Sequence, residues 1–217
     1  MTPPLRLSDR SPLAEGVQRA VYLHPQNPNL LVKVLKRWED MPARSNFNGL
    51  MDRLFPSTRL RQIRKEYREY LRVMLAQPEA DLPISHMFGF VPTDVGLGCL
   101  TQAVRDGDGL GRTLGRAKKD GVAVEDVALL NDMIARLYAL DIRASDLNPK
   151  NIVFGTRDIG AGPGPREAVL VDGFGDIHAI PVRSLGGWAN RMGLDDSCRR
   201  LARNTGLIWD GAARRFS

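Results

Sequence analysis

The sequence is poor in cysteine, histidine and aromatic residues, and it has no long apolar run. Cys99 and Cys198 are the only cysteines among 217 residues, which excludes a disulfide framework and a cysteine-rich zinc site. The three histidines are scattered, without the spacing of metal ligands. No apolar run approaches the ~20 residues that span a bilayer, and the first residues lack the apolar core of a signal peptide. We therefore expect a cytoplasmic protein.

The charge balance is basic, with a net charge of +6 and a sequence pI near 9.7. A basic surface favours anionic partners, and nucleotide phosphates, nucleic acids and acidic membrane surfaces all fit this description. Aromatic residues make up only 6% and do not alternate with the basic ones, as a base-stacking surface would require. We therefore expect any nucleic-acid binding to be non-specific.

The first half of the chain has a strand pattern. Apolar and β-branched runs, separated by the turn-forming segments "AEG" and "HPQNPN", predict antiparallel strands at Leu7–Leu13, Ala20–His24 and Leu30–Leu35. Apolar residues at helical spacing then predict a helix over Thr58–Leu75.

Further strands and a second helix follow. A hairpin turn is predicted at Asp94–Gly98 and a short strand at Gly98–Val104. A strongly amphipathic pattern predicts a helix over Val124–Leu140. Two short strands, Asn151–Phe154 and Ala168–Val171, flank a loop rich in Gly and Pro. We predict an α+β fold with two lobes, an N-terminal lobe over residues 1–104 and a short, mainly helical lobe over residues 105–217.

Two segments carry residues that phosphoryl transfer would use. In "SDLNPKNIVFG", Asp146 and Asn151 have a D-x-x-x-x-N spacing between a long helix and a strand, and in "VLVDGFGD" a buried strand ends at Asp172. Phosphoryl transfer needs metal ions and cations held against the phosphates and a carboxylate near the accepting hydroxyl. The spacing alone is common, but Asp172 at the end of a strand beside such a loop is well placed to hold Mg²⁺.

The order of these segments resembles the protein-kinase-like fold and, more narrowly, the bacterial YrbL family of PhoP regulatory network proteins. The matching pieces are "LSDRSPLAEGVQRAVYLHP", "LLVKVLK", "RKEYREYL", "TDVGLG", "SDLNPKNIVF" and "VDGFGD", which cover the chain from about Leu7 to Ile180. This resemblance implies a two-lobed kinase-like fold that binds ATP and Mg²⁺. It also suggests a regulatory protein partner, which the residues do not identify.

The resemblance assigns the catalytic and metal-binding roles position by position. Asp146 is the candidate base, and Asn151 and Asp172 are the candidate metal ligands. Lys33 in "LLVKV" would contact the α- and β-phosphates, with Glu66 as its ion-pair partner. Glu69 is the rival for that partnership. Each of these residues also has a simpler structural reading, as an edge-strand lysine, a surface ion-pair partner or a turn-capping side chain.

The resemblance also assigns the phosphate-loop positions. Gly16 would be the middle glycine of this loop, and Val21 would lie over the base. The loop departs from the kinase pattern, because Ala14 and Arg19 stand where that pattern has glycines. Arg19 is therefore a candidate for contacting phosphate through its side chain.

Other departures affect the second lobe. Ser145 precedes Asp146 where an arginine is usual, Asn148 replaces the usual loop lysine, and "DGFG" is one residue longer than D-F-G, with Asp176 as a rival ligand. Only 45 residues follow Asp172, and none of them forms an A-P-E-like segment. We therefore expect a truncated helical C-lobe and no conventional protein-substrate kinase.

Three functional readings remain open. The first is an atypical ATP-dependent phosphotransferase that acts on a small-molecule or unknown acceptor. The second is a pseudokinase-like regulatory or binding protein with no transfer activity. The third, a nucleic-acid-binding protein, depends on the net charge alone. Retention of the five residues Lys33, Glu66, Asp146, Asn151 and Asp172 favours the first.

Overall fold

A computed structural model describes residues 3–16, 19–36, 60–158, 160, 162–176 and 186–217. The chain divides into two compact units. The first comprises the residues up to Ile63 together with His86–Ala103, and the second comprises Arg64–Ser85 and Val104–Ser217. One division between the units lies between Ala103 and Val104, next to the predicted boundary at residue 104. The segment Arg64–Ser85, which the prediction placed in the N-terminal lobe, groups with the second unit.

The first unit is built on a five-stranded antiparallel sheet with the order β1-β2-β3-β5-β4. Its strands are β1 (Ala14–Glu15), β2 (Arg19–Leu23), β3 (Leu30–Leu35), β4 (Met87–Thr93) and β5 (Gly96–Gln102). The predicted strands around Ala20 and Leu30 are confirmed to within one residue. Strand β5 is shifted by two residues toward the N-terminus at both ends relative to the predicted strand at Gly98–Val104.

The predicted strand Leu7–Leu13 is wrong. Leu7 is fully buried in a cluster with Val32 and Val34, but residues 8–10 form a turn. The backbone amide of Leu7 donates a hydrogen bond of 2.8 Å to the Asp94 carboxylate rather than to a neighbouring strand. Leu7 thus packs against the sheet residues Val32 and Val34, whereas Leu13 at the other end of the segment is exposed.

In its described residues, the second unit combines four helices with short strands. Helix α1 (Arg61–Ala76), of which Arg64 onward belongs to this unit, is followed by α2 (Leu114–Asp120), α3 (Val124–Ala139) and α4 (Gly187–Thr205). The predicted start of α1 at Thr58 lies outside the described residues, and α3 is confirmed to within one residue. None of the helices in the described part of the chain combines the length and apolar character that a bilayer crossing requires.

The second unit also contains a three-stranded antiparallel sheet. Its order is β10-β9-β8, and its strands are β8 (Arg112–Thr113), β9 (Ile152–Gly155) and β10 (Glu167–Leu170). Two small hairpins complete the unit, one from β6 (Arg105–Asp106) and β7 (Gly109–Leu110), the other from β11 (Trp209–Asp210) and β12 (Arg215–Phe216). Because β9 follows Asn151 and β10 precedes Asp172, pairing of these strands controls where the candidate site residues lie.

Candidate active site

The loop between α3 and β9 holds Asp146 and Asn151 close together. The backbone carbonyl of Asp146 accepts a hydrogen bond of 2.9 Å from the amide of Asn148. Asn148 in turn accepts one of 2.8 Å from the amide of Asn151, whose side-chain nitrogen lies 3.4 Å from the Asp146 carbonyl oxygen. The D-x-x-x-x-N segment is therefore a tight turn that is held by hydrogen bonds between its own residues.

Asp172 joins the same group through the backbone. The amide of Val171 donates a hydrogen bond of 2.8 Å to the carbonyl of Asn151, and the amide of Asp146 donates one of 3.1 Å to the carbonyl of Gly173. The Asp172 carboxylate accepts a bond of 2.7 Å from the amide of Gly173. The structure thus brings together the three second-lobe residues that the sequence analysis singled out.

Gly173 makes this approach possible. Its φ is +81°, and a Cβ atom on it would lie 2.5 Å from the carbonyl oxygen of Asp146 and 3.0 Å from Nδ2 of Asn151. A side chain at this position would therefore push the two segments apart. Gly173 is the additional residue between Asp172 and the buried Phe174.

Ser145 and Gly175 form a second link between the same segments. The Ser145 hydroxyl donates a hydrogen bond of 2.9 Å to the carbonyl of Gly175, and the Gly175 amide donates one of 2.7 Å to the carbonyl of Arg143. A Cβ atom on Gly175, at φ +92°, would lie 2.8 Å from the carbonyl oxygen of Lys65 on α1. In the sequence, Ser145 is visible only as a departure from the kinase pattern, and the two glycines of "DGFG" are the signal of this close packing.

The electrostatic environment acts on Asp146 in both directions. Partial burial and then the negative charge of Asp172 raise the pKa of the Asp146 carboxyl, whereas the Arg200 guanidinium and a hydrogen bond from Asn151 lower it, with a net upward shift. Arg200 lies on α4 and donates a hydrogen bond of 3.3 Å to the carbonyl of Ser145. Asp146 is itself exposed to solvent, whereas its neighbours Ser145 and Leu147 are buried.

The donor set of Asn151 and Asp172 fits a magnesium ion. An amide oxygen and a carboxylate are hard oxygen ligands, and Mg²⁺ is usually held by one or two such side chains together with substrate phosphates. In the described residues, no group of three or more His, Cys, Asp or Glu side chains is arranged to hold a metal ion. Any magnesium site built on Asn151 and Asp172 would therefore draw further ligands from phosphate oxygens and water.

Helix α1 places two carboxylates on its buried face. Glu66 is 2% exposed and Glu69 is 3% exposed. Glu69 accepts hydrogen bonds from the side chains of Arg72 and Arg143 and from the backbone amide of Arg143. Glu69, which the sequence left as an alternative to Glu66 for the ion pair with Lys33, is thus bonded to two arginines of the second unit.

The remaining candidates lie in the first unit. Lys33 on β3 is 7% exposed and is paired across the sheet with Val21 on β2 and with Cys99 on β5. Because directly opposed residues project from the same face, these three side chains form one row. The two candidates assigned to the phosphates and the base therefore share a face of the sheet.

Gly16 and Arg19 close the β1–β2 hairpin. The amide of Gly16 donates a hydrogen bond of 2.8 Å to the carbonyl of Arg19, and residues 17–18 at the tip lie outside the described residues. Gly16 is exposed, and a Cβ atom on it would lie 3.5 Å from its nearest neighbour, the Arg19 carbonyl oxygen. Among the described residues, no contact or backbone angle requires glycine at position 16.

Two solved structures illustrate the similarity of the chain to kinases. The Rio2 kinase of Chaetomium thermophilum, solved as an ADP/Mg²⁺-phosphoaspartate complex, is 14% identical with a TM-score of 0.50, over 88% of this chain and 52% of that one. The PknI kinase domain of Mycobacterium tuberculosis is 19% identical with a TM-score of 0.46, over 92% of this chain and 75% of that one. The chain spans about half of the Rio2 chain, and that likeness shows a kinase-like fold. No curated protein matches the chain significantly.

The family comparison covers both units of the chain and both motif segments. The family model of the PhoP regulatory network protein YrbL matches residues 5–206, which is nearly the whole chain and includes Lys33, Asp146 and Asp172. The chain belongs to the family of the PhoP regulatory network protein YrbL.

Proposed function

We propose that the protein binds ATP with Mg²⁺ and transfers a phosphoryl group to a hydroxyl of an acceptor that is not yet identified. The observation that carries this proposal is the hydrogen-bonded group of Asp146, Asn151 and Asp172 in the second unit. Such a group supplies a carboxylate for the acceptor and two oxygen ligands for a metal, which are the protein's main contributions to phosphoryl transfer besides cations.

Each residue of this group has a separate task. Asn151 and Asp172 would hold Mg²⁺, which when bound neutralises charge on the phosphate oxygens. The Asp146 carboxylate accepts a hydrogen bond from the acceptor hydroxyl and takes its proton. Its exposed position leaves room for the acceptor, and Asn151 restrains its orientation.

The first unit supplies the nucleotide-binding surface in this proposal. Lys33 is the cation for the α- and β-phosphates, Val21 covers the base, and Gly16 with Arg19 belongs to the phosphate loop. Support comes from the shared sheet face of Val21 and Lys33. The Rio2 kinase, which has the same type of fold, was solved with ADP and Mg²⁺.

The alternative is a kinase-like binding protein that transfers no phosphate. The β1–β2 hairpin favours it, because Gly16 has neither a backbone angle nor a close contact with any described residue that requires glycine. Close approach of a backbone to phosphates is the usual reason for glycine in such a loop. The alternative shares nucleotide binding with the proposal and differs from it in turnover.

Thermal-shift titration with ATP, with and without Mg²⁺, tests the shared part. Binding to the folded state raises the melting temperature by mass action. We expect Lys33→Ala to weaken the shift through loss of charge-assisted phosphate contacts, and Asp172→Asn to remove the part that depends on Mg²⁺. Lys36→Ala is the matched control, since Lys36 lies just beyond the same strand and pairs with Glu15. Absence of any shift at millimolar ATP would overturn nucleotide binding.

Formation of ADP from ATP tests turnover, because ADP is the leaving group both in hydrolysis and in transfer to a hydroxyl. We expect the wild type to form ADP slowly with water alone, and faster with the correct acceptor from a panel of sugars, lipid head groups and peptides. Wild-type protein that binds ATP but turns over no faster than Asp146→Asn would establish the binding-protein alternative.

A further inference from the structure

Glu69 is a buried carboxylate of helix α1 that accepts four hydrogen bonds. One carboxylate oxygen accepts bonds of 2.8 Å from the backbone amide of Arg143 and 2.7 Å from the Arg72 guanidinium. The other accepts bonds of 2.9 Å from the Arg143 guanidinium and 3.2 Å from Nε of Arg72. The same Arg72 also donates 2.7 Å to the carbonyl of Asp141. Four donors on one buried carboxylate fix its position more tightly than a surface ion pair would.

Arg143 connects this cluster to the candidate active site. Its carbonyl accepts the Gly175 amide at 2.7 Å, and the following residue, Ala144, forms bridge pairings with Phe174 and Gly175. Ser145 and Asp146 then make the hydrogen bonds to Gly175 and Gly173 described above. Every residue from 143 to 146 is therefore bonded or paired to the segment that follows Asp172.

Helix α1 also touches that segment directly. A Cβ atom on Gly175 would lie 2.8 Å from the carbonyl oxygen of Lys65, so the backbone of the helix and that of the "DGFG" turn are in close contact. Lys65 precedes Glu66 and lies about one helical turn before Glu69. The helix thus meets the site at two points, a backbone contact at Gly175 and a charged contact at Arg143.

We propose that Glu69 is a positioning residue, which holds residues 141–146 and 172–175 in register against helix α1. This inference depends on the proposed function, because the register matters for nucleotide and metal binding only if these segments bind them. Glu69 touches none of the proposed ligands, so it acts through Arg143. The same contacts keep the neighbouring Glu66 in a fixed position relative to the catalytic and metal-binding segments.

Hydrogen–deuterium exchange of Glu69→Gln tests the positioning directly. The amide replacement keeps the size of the side chain but removes the charge that holds both guanidinium groups. We expect exchange in peptides covering 141–146 and 172–176 to become about tenfold faster or more, as the loss of charge-assisted bonds implies. Unchanged exchange in these peptides would overturn the inference.

Asp126→Asn is the matched control. Asp126 is an equally buried carboxylate of the same unit, and it pairs with Arg112 and Arg166 instead of with the catalytic segments. We expect its loss to lower the melting temperature without changing exchange over 172–176. Equal acceleration of that peptide in both variants would show a general loss of stability and would overturn a specific role for Glu69.

Nucleotide binding provides the functional readout. In Glu69→Gln we expect the Mg²⁺-dependent part of ADP affinity to fall about tenfold, while binding without Mg²⁺ changes little. If the wild type binds ADP with Mg²⁺ and the variant binds it equally well, the positioning role is wrong and the proposed function stands. If the wild type binds no nucleotide, the proposed function fails and the positioning role fails with it.

A second variant covers the case in which Glu69→Gln does not fold. Arg143→Met removes one guanidinium and leaves Glu69 bonded to Arg72 and to the backbone amide of residue 143. We expect exchange in the same two peptides to accelerate less than in Glu69→Gln. The Mg²⁺-dependent part of ADP affinity should fall, as it does in Glu69→Gln. Wild-type exchange and affinity in Arg143→Met would contradict the proposal.

Discussion

The hydroxyl of Ser145 donates a buried hydrogen bond of 2.9 Å to the carbonyl of Gly175, and so joins the loop of Asp146 to the turn after Asp172. We expect Ser145→Ala to destabilise the protein by about 1–3 kcal/mol, because the Gly175 carbonyl would lose a partner in a buried position. Urea unfolding measures this change. Thr205→Val is the control, since the Thr205 hydroxyl donates to carbonyls of its own helix and accepts a long bond of 3.4 Å from the nearby Leu207 amide, so its loss should cost less. Equal costs for the two variants would contradict the importance of the Ser145 link.

The close approach at Gly173 gives a second prediction. We expect Gly173→Ala to cost about 2–5 kcal/mol, as the sum of a left-handed backbone and a clash with the Asp146 carbonyl. Gly160→Ala separates the two causes, because Gly160 has φ +99° and a Cβ atom on it would meet nothing within 4 Å. Urea unfolding of both variants is the measurement. Similar losses in both would mean that the contact with Asp146 contributes nothing.

The raised pKa of Asp146 predicts opposite effects on stability and on turnover. Since the folded-state pKa lies above the unfolded one, ionisation of this carboxyl at neutral pH disfavours folding. We therefore expect Asp146→Asn to leave the melting temperature equal or higher at pH 7, and this difference to vanish as the pH falls below the pKa of the carboxyl. Transfer should slow by roughly 10²–10⁴-fold if Asp146 acts as a general base. A lower melting temperature at pH 7 with unchanged turnover would contradict both parts.

Asp94 predicts a pH dependence of the opposite sign in the first unit. A hydrogen bond from the Ser8 hydroxyl, followed by one from the Leu7 amide, lowers the pKa of the Asp94 carboxyl. Its contribution to stability is therefore present above the unfolded-state pKa and is lost as the pH falls through the lower folded-state pKa. Melting temperatures of the wild type and Asp94→Asn should differ at pH 7 and converge in acid. A constant difference at every pH would exclude the ionised Asp94 as the cause.

The regular elements with clear periodicity could be predicted from the sequence. Strand β3 reads "LLVKVL" and helix α3 has apolar residues at helical spacing, and both predictions hold to within one residue. Helix α4 was missed because its buried face contains small and polar residues, including Asn190, Ser197 and Cys198. A helix whose buried face is only partly apolar leaves a weak periodic signal.

The site was predictable where the motif is local in the chain. The spacing of Asp146 and Asn151 and the strand that ends at Asp172 indicated the three residues that the structure brings together. The structural roles of Ser145 and Glu69 could not be predicted, because each depends on a partner that is distant in sequence. Ser145 bonds to Gly175, and Glu69 bonds to Arg143. Tertiary contacts of this kind leave no periodic signal in a single sequence.

The separation of Glu69 and Arg143 along the chain, 74 residues, has a consequence for synthesis. At about 5–20 residues per second, the ribosome needs about 4–15 s between making the first residue and the second. During that interval Glu69 has Arg72 of its own helix as a partner and lacks the amide and the guanidinium of Arg143. Because burying a carboxylate without its hydrogen-bond donors is costly, we expect helix α1 to dock fully only after Arg143 has been made.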